Sequence, residues 1–344
     1  MKGLHRLGPP GLALLLFACA ALAEELPRGK DWKKLAAIPT PGVGMAAVVL
    51  DGKLHVLGGS EMDSHQVYDP RADAWSQLAA LPAGEGVGWP MAAPLNGRIY
   101  LFGGGYGKQW RGEAAAWVYD PGADRWRAIA PMPERRMQGA AVAADGAIYI
   151  IGGHRGSAKL SREEEIRTVY RYDPAANRYT RVADMPETGI FIVSAWYQGN
   201  IWVVPGVERT VKDPGPNRDA YVWADGLMKY NPARDRWTKL NLPRPQKATW
   251  LITQQASHAA LGPRLILAGG GAPPDRRRSD LVFYFDMDRE RFETLGRLPE
   301  VRCCATAGVV EGKLYVVGGF YHDIGQTCPE TWAYPFPEES CCGR

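Results

Sequence analysis

Asp145-Gly146-Ala147-Ile148-Tyr149-Ile150-Ile151-Gly152-Gly153, then Tyr172-Asp173-Pro174, Tyr179 and Met185-Pro186, is one copy of a unit that recurs along the chain. Asp-Gly suits a two-residue hairpin, whose central residues both need positive φ. The apolar strand after it ends in paired glycines, which fit where a neighbouring backbone comes close and a Cβ is excluded. Asp-Pro opens a second turn. The aromatic residues are large apolar bodies suited to packing between neighbouring units, not to caging a ligand.

Working outward, the preceding copies are Asn96-Gly97, Gly103-Gly104, Tyr119-Asp120-Pro121, Trp126 and Met132-Pro133, and before them Asp51-Gly52, Gly58-Gly59, Tyr68-Asp69-Pro70, Trp75 and Leu81-Pro82. The following copies drift without losing the frame. Gly199-Asn200, Pro205-Gly206, Tyr230-Asn231-Pro232, Trp237 and Leu242-Pro243 come first, then Gly269-Gly270, Phe285-Asp286, Phe292 and Leu298-Pro299. The last copy has Glu311-Gly312, Gly318-Gly319 and Trp332-Ala333-Tyr334 but lacks its final strand. Asp31-Trp32-Lys33-Lys34-Leu35, with Ile38-Pro39, supplies that strand from the other end. With 40 Gly, 27 Pro and 12 Trp, the chain reads as many short strands joined by tight turns.

These registered copies resemble the kelch repeat over residues 31 to about 336. The resemblance implies an all-β, six-bladed propeller closed by the N-terminal strand, with only short edges left open. Small residues on the first strand of a copy, as in Met45-Ala46-Ala47 and Gly139-Ala140-Ala141, suit six strands converging on one axis.

Residues 1–23 read as an export signal, with Lys2 and Arg6 before the apolar run 11–23 and Ala21-Leu22-Ala23 as a cleavage pattern. Processing as a lipoprotein at Cys19 is the alternative. The expected product is a single propeller over residues 24–339 with a short cysteine-containing tail, 340–344, in the periplasm or secreted. Removing Lys2 and Arg6 takes the formal charge from +4 to +2, which gives no global argument for nucleic acid as a partner. No later segment is apolar for the ~18 residues a membrane span needs. Cys303, Cys304, Cys328, Cys341 and Cys342 crowd the C-terminal end. An oxidising compartment favours disulfides among them, with Cys328 bridged to Cys303 or Cys304 as the expected pair. Neither adjacent pair has the spacing of a metal hairpin, and the histidines form no pair at ligand spacing. No metal and no cofactor is expected.

The loops after the paired glycines and the linkers after Met/Leu-Pro should share one face of the ring. Arg135, Arg136, Arg155, Arg209, Arg302 and His322 fall there. Guanidinium forks suit carboxylate or phosphate, so these residues are candidates for binding an acidic protein surface or an anionic carbohydrate. The plainer reading is a solvated rim where each charge pairs with a nearby Glu or Asp. The fourth copy is the least regular, with Pro205-Gly206 followed by the longest insertion. Its Glu208 and Arg218 are similar to a pair in the periplasmic N-acetylneuraminate epimerases, the sialic acid mutarotases. That resemblance implies Glu208 as acid/base, sufficient for mutarotation, and Arg218 as holder of the sugar carboxylate. The spacing between the two is longer here and the rest of the loop does not match. Two functions therefore stand side by side: a binding module acting through a charged loop face, and an isomerase of carboxylated sugars.

Overall fold

The computed structural model describes residues 28–336 apart from 61, 85, 107–110, 157–164, 210–220, 224–225, 243–256, 273–276 and 322–324. At positions 106, 207–209, 221–223, 272 and 277–278 the description is of the backbone alone. The export signal with Cys19, the loop residues Arg218 and His322, and the tail with Cys341 and Cys342 lie outside the described residues.

Six four-stranded antiparallel sheets are arranged as propeller blades. Blade one runs outward from the axis as Ala46–Leu50, Lys53–Leu57, His65–Asp69 and Ala74–Gln77. Innermost strands of neighbouring blades touch around the axis. Blade six takes three strands from late in the chain, Thr306–Val310, Lys313–Val317 and Thr331–Pro335, and its outermost strand, Lys33–Leu35, from early in it. Lys33 lies opposite Ala333 and Leu35 opposite Thr331, so the ring closes as the sequence implies.

The repeat residues explain the joints. At the first hairpin Asp51 has φ 50° and Gly52 φ 71°, the left-handed pair that a tight primed turn requires. A Cβ on Gly103 would overlap the Arg136 carbonyl oxygen, and one on Gly269 would come 2.6 Å from that of Arg302. The second glycine of each pair then donates its N–H to the linker entering the next blade. Gly59 reaches Val87 at 2.8 Å, Gly104 reaches Arg136 at 3.1 Å, Gly153 reaches Gly189 at 3.1 Å, Gly270 reaches Arg302 at 3.0 Å and Gly319 reaches Gly42 at 3.3 Å. Post-glycine loops and linkers are thereby bound together on one face.

The opposite face carries a second recurring joint. Asp73, left-handed at φ 48°, accepts the Tyr68 hydroxyl at 2.6 Å and the Ala36 N–H at 2.9 Å, while Trp75 Nε1 donates to the Ala36 carbonyl at 3.0 Å. Those hydrogen bonds, the backbone one foremost, hold the Asp73 carboxyl below its ordinary range. Tyr119, Asp124 and Trp126 repeat the clamp on Ala79. Tyr172, Asn177 and Tyr179 repeat it on Ala130, and Tyr230, Asp235 and Trp237 on Ala183. The repeat aromatics are thus packing and clamping groups.

Apolar layers fill the space between blades. Leu57, Leu81, Ile99, Leu101 and Trp126 pack in one cluster joining blades one and two. The same junction buries two histidines. His55 Nδ1 lies 2.9 Å from His65 Nε2, and His65 packs edge-on against Tyr119 and Trp126. Burial holds His55 down to about 4 and His65 to about 3, so both are neutral at pH 7.

Candidate functional site

The linkers place one left-handed residue per described blade entry at the mouth of the central channel. These are Gly44 at φ 68°, Trp89 at 49°, Gln138 at 58°, Phe191 at 58° and Cys304 at 58°. Four of the five lie five residues past their Pro, counted from Pro39, Pro133, Pro186 and Pro299; Trp89 follows Pro82 with a two-residue insertion. Backbone hydrogen bonds chain them around the axis. The Gly44 N–H donates to the Cys304 carbonyl at 3.3 Å, Trp89 to Gly44 at 2.7 Å, Gln138 to Trp89 at 3.2 Å and Phe191 to Gln138 at 2.8 Å. Bonded in this way, the residues at each linker's end are held in one orientation about the channel.

Below the mouth is a cavity of about 130 Å³. Its rim carries Trp89, Gln138, Phe191 and Cys304, and its deeper wall is small and apolar, with Ala47, Ala92, Ala141 and Ala307 beside Ser257 and His258. Gly44 leaves room for Trp89, since a Cβ there would come 2.5 Å from the indole. The Trp89 and Phe191 rings meet edge-on, with centroids 6.4 Å apart. Between them, Gln138 is oriented from behind. The Gly156 N–H donates to His154 Nδ1 at 2.9 Å, so in the neutral imidazole the proton is assigned to Nε2. That nitrogen donates to Gln138 Oε1 at 2.8 Å, which leaves the amide NH2 as the end that can donate to another group. His258 faces the channel but is ringed by protein, and desolvation holds its pKa down to about 4. The site is therefore an aromatic mouth with a held amide donor above an uncharged pocket.

The family model for the kelch motif matches residues 92–133, 135–186 and 302–334, which are blades two, three and six of this ring. The chain carries kelch motifs in a six-bladed β-propeller. Human Kelch-like protein 23 is 32% identical over 179 residues, 48% of this chain and 29% of the relative. Kelch-like protein terF of Aspergillus terreus is 24% identical over 334 residues, 90% of this chain and 69% of the relative. The propeller thus spans under a third of the length of the first curated relatives it matches. The solved structure of YjhT superposes with a TM-score of 0.71 at 14% identity, covering 89% of this chain and 98% of that one, a likeness of fold.

Within the propeller the candidate arginines separate. Arg136 and Arg302 are 0% and 1% exposed and do not form the open rim expected of them. Each lies between blades as a structural staple. Arg136 donates to the carbonyls of Gly152 and Thr168, both at 3.2 Å, and to Glu134 at 2.7 Å, with its guanidinium over the Tyr170 ring. Burial lowers it to about 10, still charged at neutral pH. Arg302 donates to the Gly318 carbonyl at 3.1 Å and to Glu300 at 2.9 Å. Arg155 is half-exposed and donates to the other Glu134 oxygen at 2.8 Å, the pairing of the plainer reading. Arg135 is half-buried on the same linker. Glu208 and Arg209 sit on a short ribbon, Val207–Arg209 paired with Tyr221–Trp223, with Glu208 opposite Val222. That ribbon follows Gly206, whose backbone lies against the Ile190 carbonyl beside Phe191.

The cysteines correct a second expectation. Cys303, Cys304 and Cys328 are buried and form no disulfide among themselves. Cys328 is raised to about 12 by burial, whereas Cys303 and Cys304 bring their sulfurs within 3.4 Å. The ring of left-handed linker residues was not singled out from the sequence. Its signal was there, in the constant offset from Pro, but an offset across irregular linkers stands out only once the blades are aligned.

Proposed function

We propose that this propeller is an exported binding module that takes a protein partner on its linker face and seats one partner side chain in the axial mouth. The observation that carries the reading is the mouth itself: Trp89 and Phe191 flank a held Gln138 amide over a cavity of about 130 Å³. That volume is well below the ~300 Å³ at which small-molecule pockets begin, but it accommodates an anchoring side chain. Interfaces draw most of their affinity from such a central, desolvated anchor, with a polar rim that excludes water. Pre-paired rim charges, such as Arg155 with Glu134, then serve register more than affinity.

Affinity capture from an extract of the source cell's export compartment, with wild type and Trp89→Ala side by side, tests this. A partner held by wild type and lost by the variant supports the reading; equal capture by both overturns it, and capture of anionic glycan instead moves the ligand class. The alternative of a sugar mutarotase keeps one observation in its favour: the ribbon carrying Glu208 lies next to the Phe191 side of the mouth. Anomer exchange by NMR with a sialic-acid-type sugar decides that alternative. Acceleration abolished by Glu208→Ala would establish the isomerase; exchange at the spontaneous rate removes it.

A further inference from the structure

Cys303 and Cys304 are neighbours in sequence, and Cys304 Sγ donates to Cys303 Sγ at 3.4 Å, beyond the roughly 2.05 Å of a disulfide bond. Cys304 lines the axial cavity, whereas Cys303 sits behind it, 2% exposed, with its N–H directed to the Phe320 carbonyl. A cavity of about 130 Å³ admits hydrogen peroxide, which is little larger than water. One sulfur therefore faces a small oxidant and the second is in contact with the first.

We propose that Cys303 and Cys304 form an oxidant-sensitive dithiol at the wall of the axial cavity, in which Cys304 reacts with peroxide and Cys303 resolves the product into a disulfide. The Cys304 thiolate, its proton lost to water, attacks one peroxide oxygen. The O–O bond breaks, hydroxide leaves and is protonated to water, and a sulfenic acid remains on Cys304. The Cys303 thiolate then attacks Cys304 Sγ, the S–O bond breaks and a second water departs. Two thiols lose two electrons and peroxide gains them.

Adjacent Cα atoms are ~3.8 Å apart across a trans peptide, short of the ~4.4–6.8 Å usual between bridged cysteines, so the closed ring is strained and easily reduced. That makes it a reversible modification and not a structural staple. Ring closure also acts on the mouth. The Cys304 carbonyl accepts the Gly44 N–H, the bond that joins blade six to blade one in the axial chain. Oxidation strains that bond.

The test treats the folded protein with peroxide, traps remaining thiols with an alkylating reagent under denaturing conditions and digests with trypsin. Cleavage after Arg302 and Lys313 isolates both cysteines in one peptide with no other. The expected result is that peptide lighter by two hydrogens and without alkyl groups, reverting to the doubly alkylated form after a thiol reductant. Amide exchange at Gly44 should quicken in the oxidised protein and stay unchanged in peroxide-treated Cys304→Ser. Doubly alkylated peptide after oxidation, Cys304 carried on to sulfinic acid without ring closure, or either cysteine linked to Cys328 would each overturn the proposal.

Discussion

Blade two is flanked by two junctions that bury nitrogen in opposite ways. Towards blade one, His55 and His65 lie together uncharged, among Tyr119 and Trp126. Towards blade three, Arg136 lies fully buried and charged, its cost offset by Glu134, two carbonyls and the Tyr170 face. A guanidinium cannot shed its charge near neutral pH, so it needs acceptors around it, and Arg136 has them on both terminal nitrogens while its Nε is buried without one. An imidazole can, so the two histidines need no counter-charge: they share one hydrogen bond, and His65 Nδ1 is left buried without a partner. The consequence is that one junction depends on pH and the other on keeping its partners. A second staple sharpens the contrast. Arg302 sits three blades away, but its Glu300 side chain is 40% exposed where that of Glu134 is 15%.

The largest effect should come from Arg136→Met. Removing the guanidinium leaves two carbonyls open and takes one partner from Glu134, which keeps Arg155 and the Thr168 hydroxyl, a loss of ~3–5 kcal/mol readable as a lower denaturant midpoint. A loss under ~1 kcal/mol would place Arg136 with surface ion pairs instead. Next is acid. Both histidines have folded pKa values below the ordinary 6.5, so their contribution is complete above that pH and is lost as pH falls towards 4. For His55 alone the shift corresponds to roughly 3 kcal/mol. Stability measured across this window should slope steeply, and the double variant His55→Gln/His65→Met should flatten the slope. Arg302→Met should cost less than Arg136→Met, ~1–3 kcal/mol for the stranded Gly318 carbonyl, because Glu300 can turn to water. Equal losses at the two staples would mean that carboxylate exposure is not what separates them. The smallest effect is Trp126→Phe, which keeps the ring against His65 but removes the bond to Ala79, ~1 kcal/mol by thermal melt with the acid slope unchanged.

Much of the fold could be read from the sequence because hairpins, paired glycines and Tyr-Asp-Pro turns are local rules repeated in register. Ring closure by Lys33–Leu35 was legible as a strand missing at one end and present at the other. The candidate site was harder. In Glu134-Arg135-Arg136 all three residues look like rim charges, yet extended backbone sends positions 134 and 136 to one side, and that side is the blade junction. His154, the residue that orients Gln138, is far from it in sequence and meets it only through the fold. Asp73 and its equivalents were likewise silent, since a left-handed Asp clamping Tyr to the next linker looks like any turn residue.

The closing strand has a mechanical consequence. Lys33 begins one strand of an antiparallel pair and Pro335 ends the other, so the chain leaves both at the same end of the pair. Tension applied ahead of Lys33 and beyond Pro335 peels the two apart as a zipper, Lys33 from Ala333 first, then Lys34 from Trp332, then Leu35 from Thr331. The pull first loads the ties of the preceding segment to blade five, the Gly29 N–H on the Arg297 carbonyl and Arg28 on Asp280, and after them one rung at a time. The seam that completes the ring is also where force would open it.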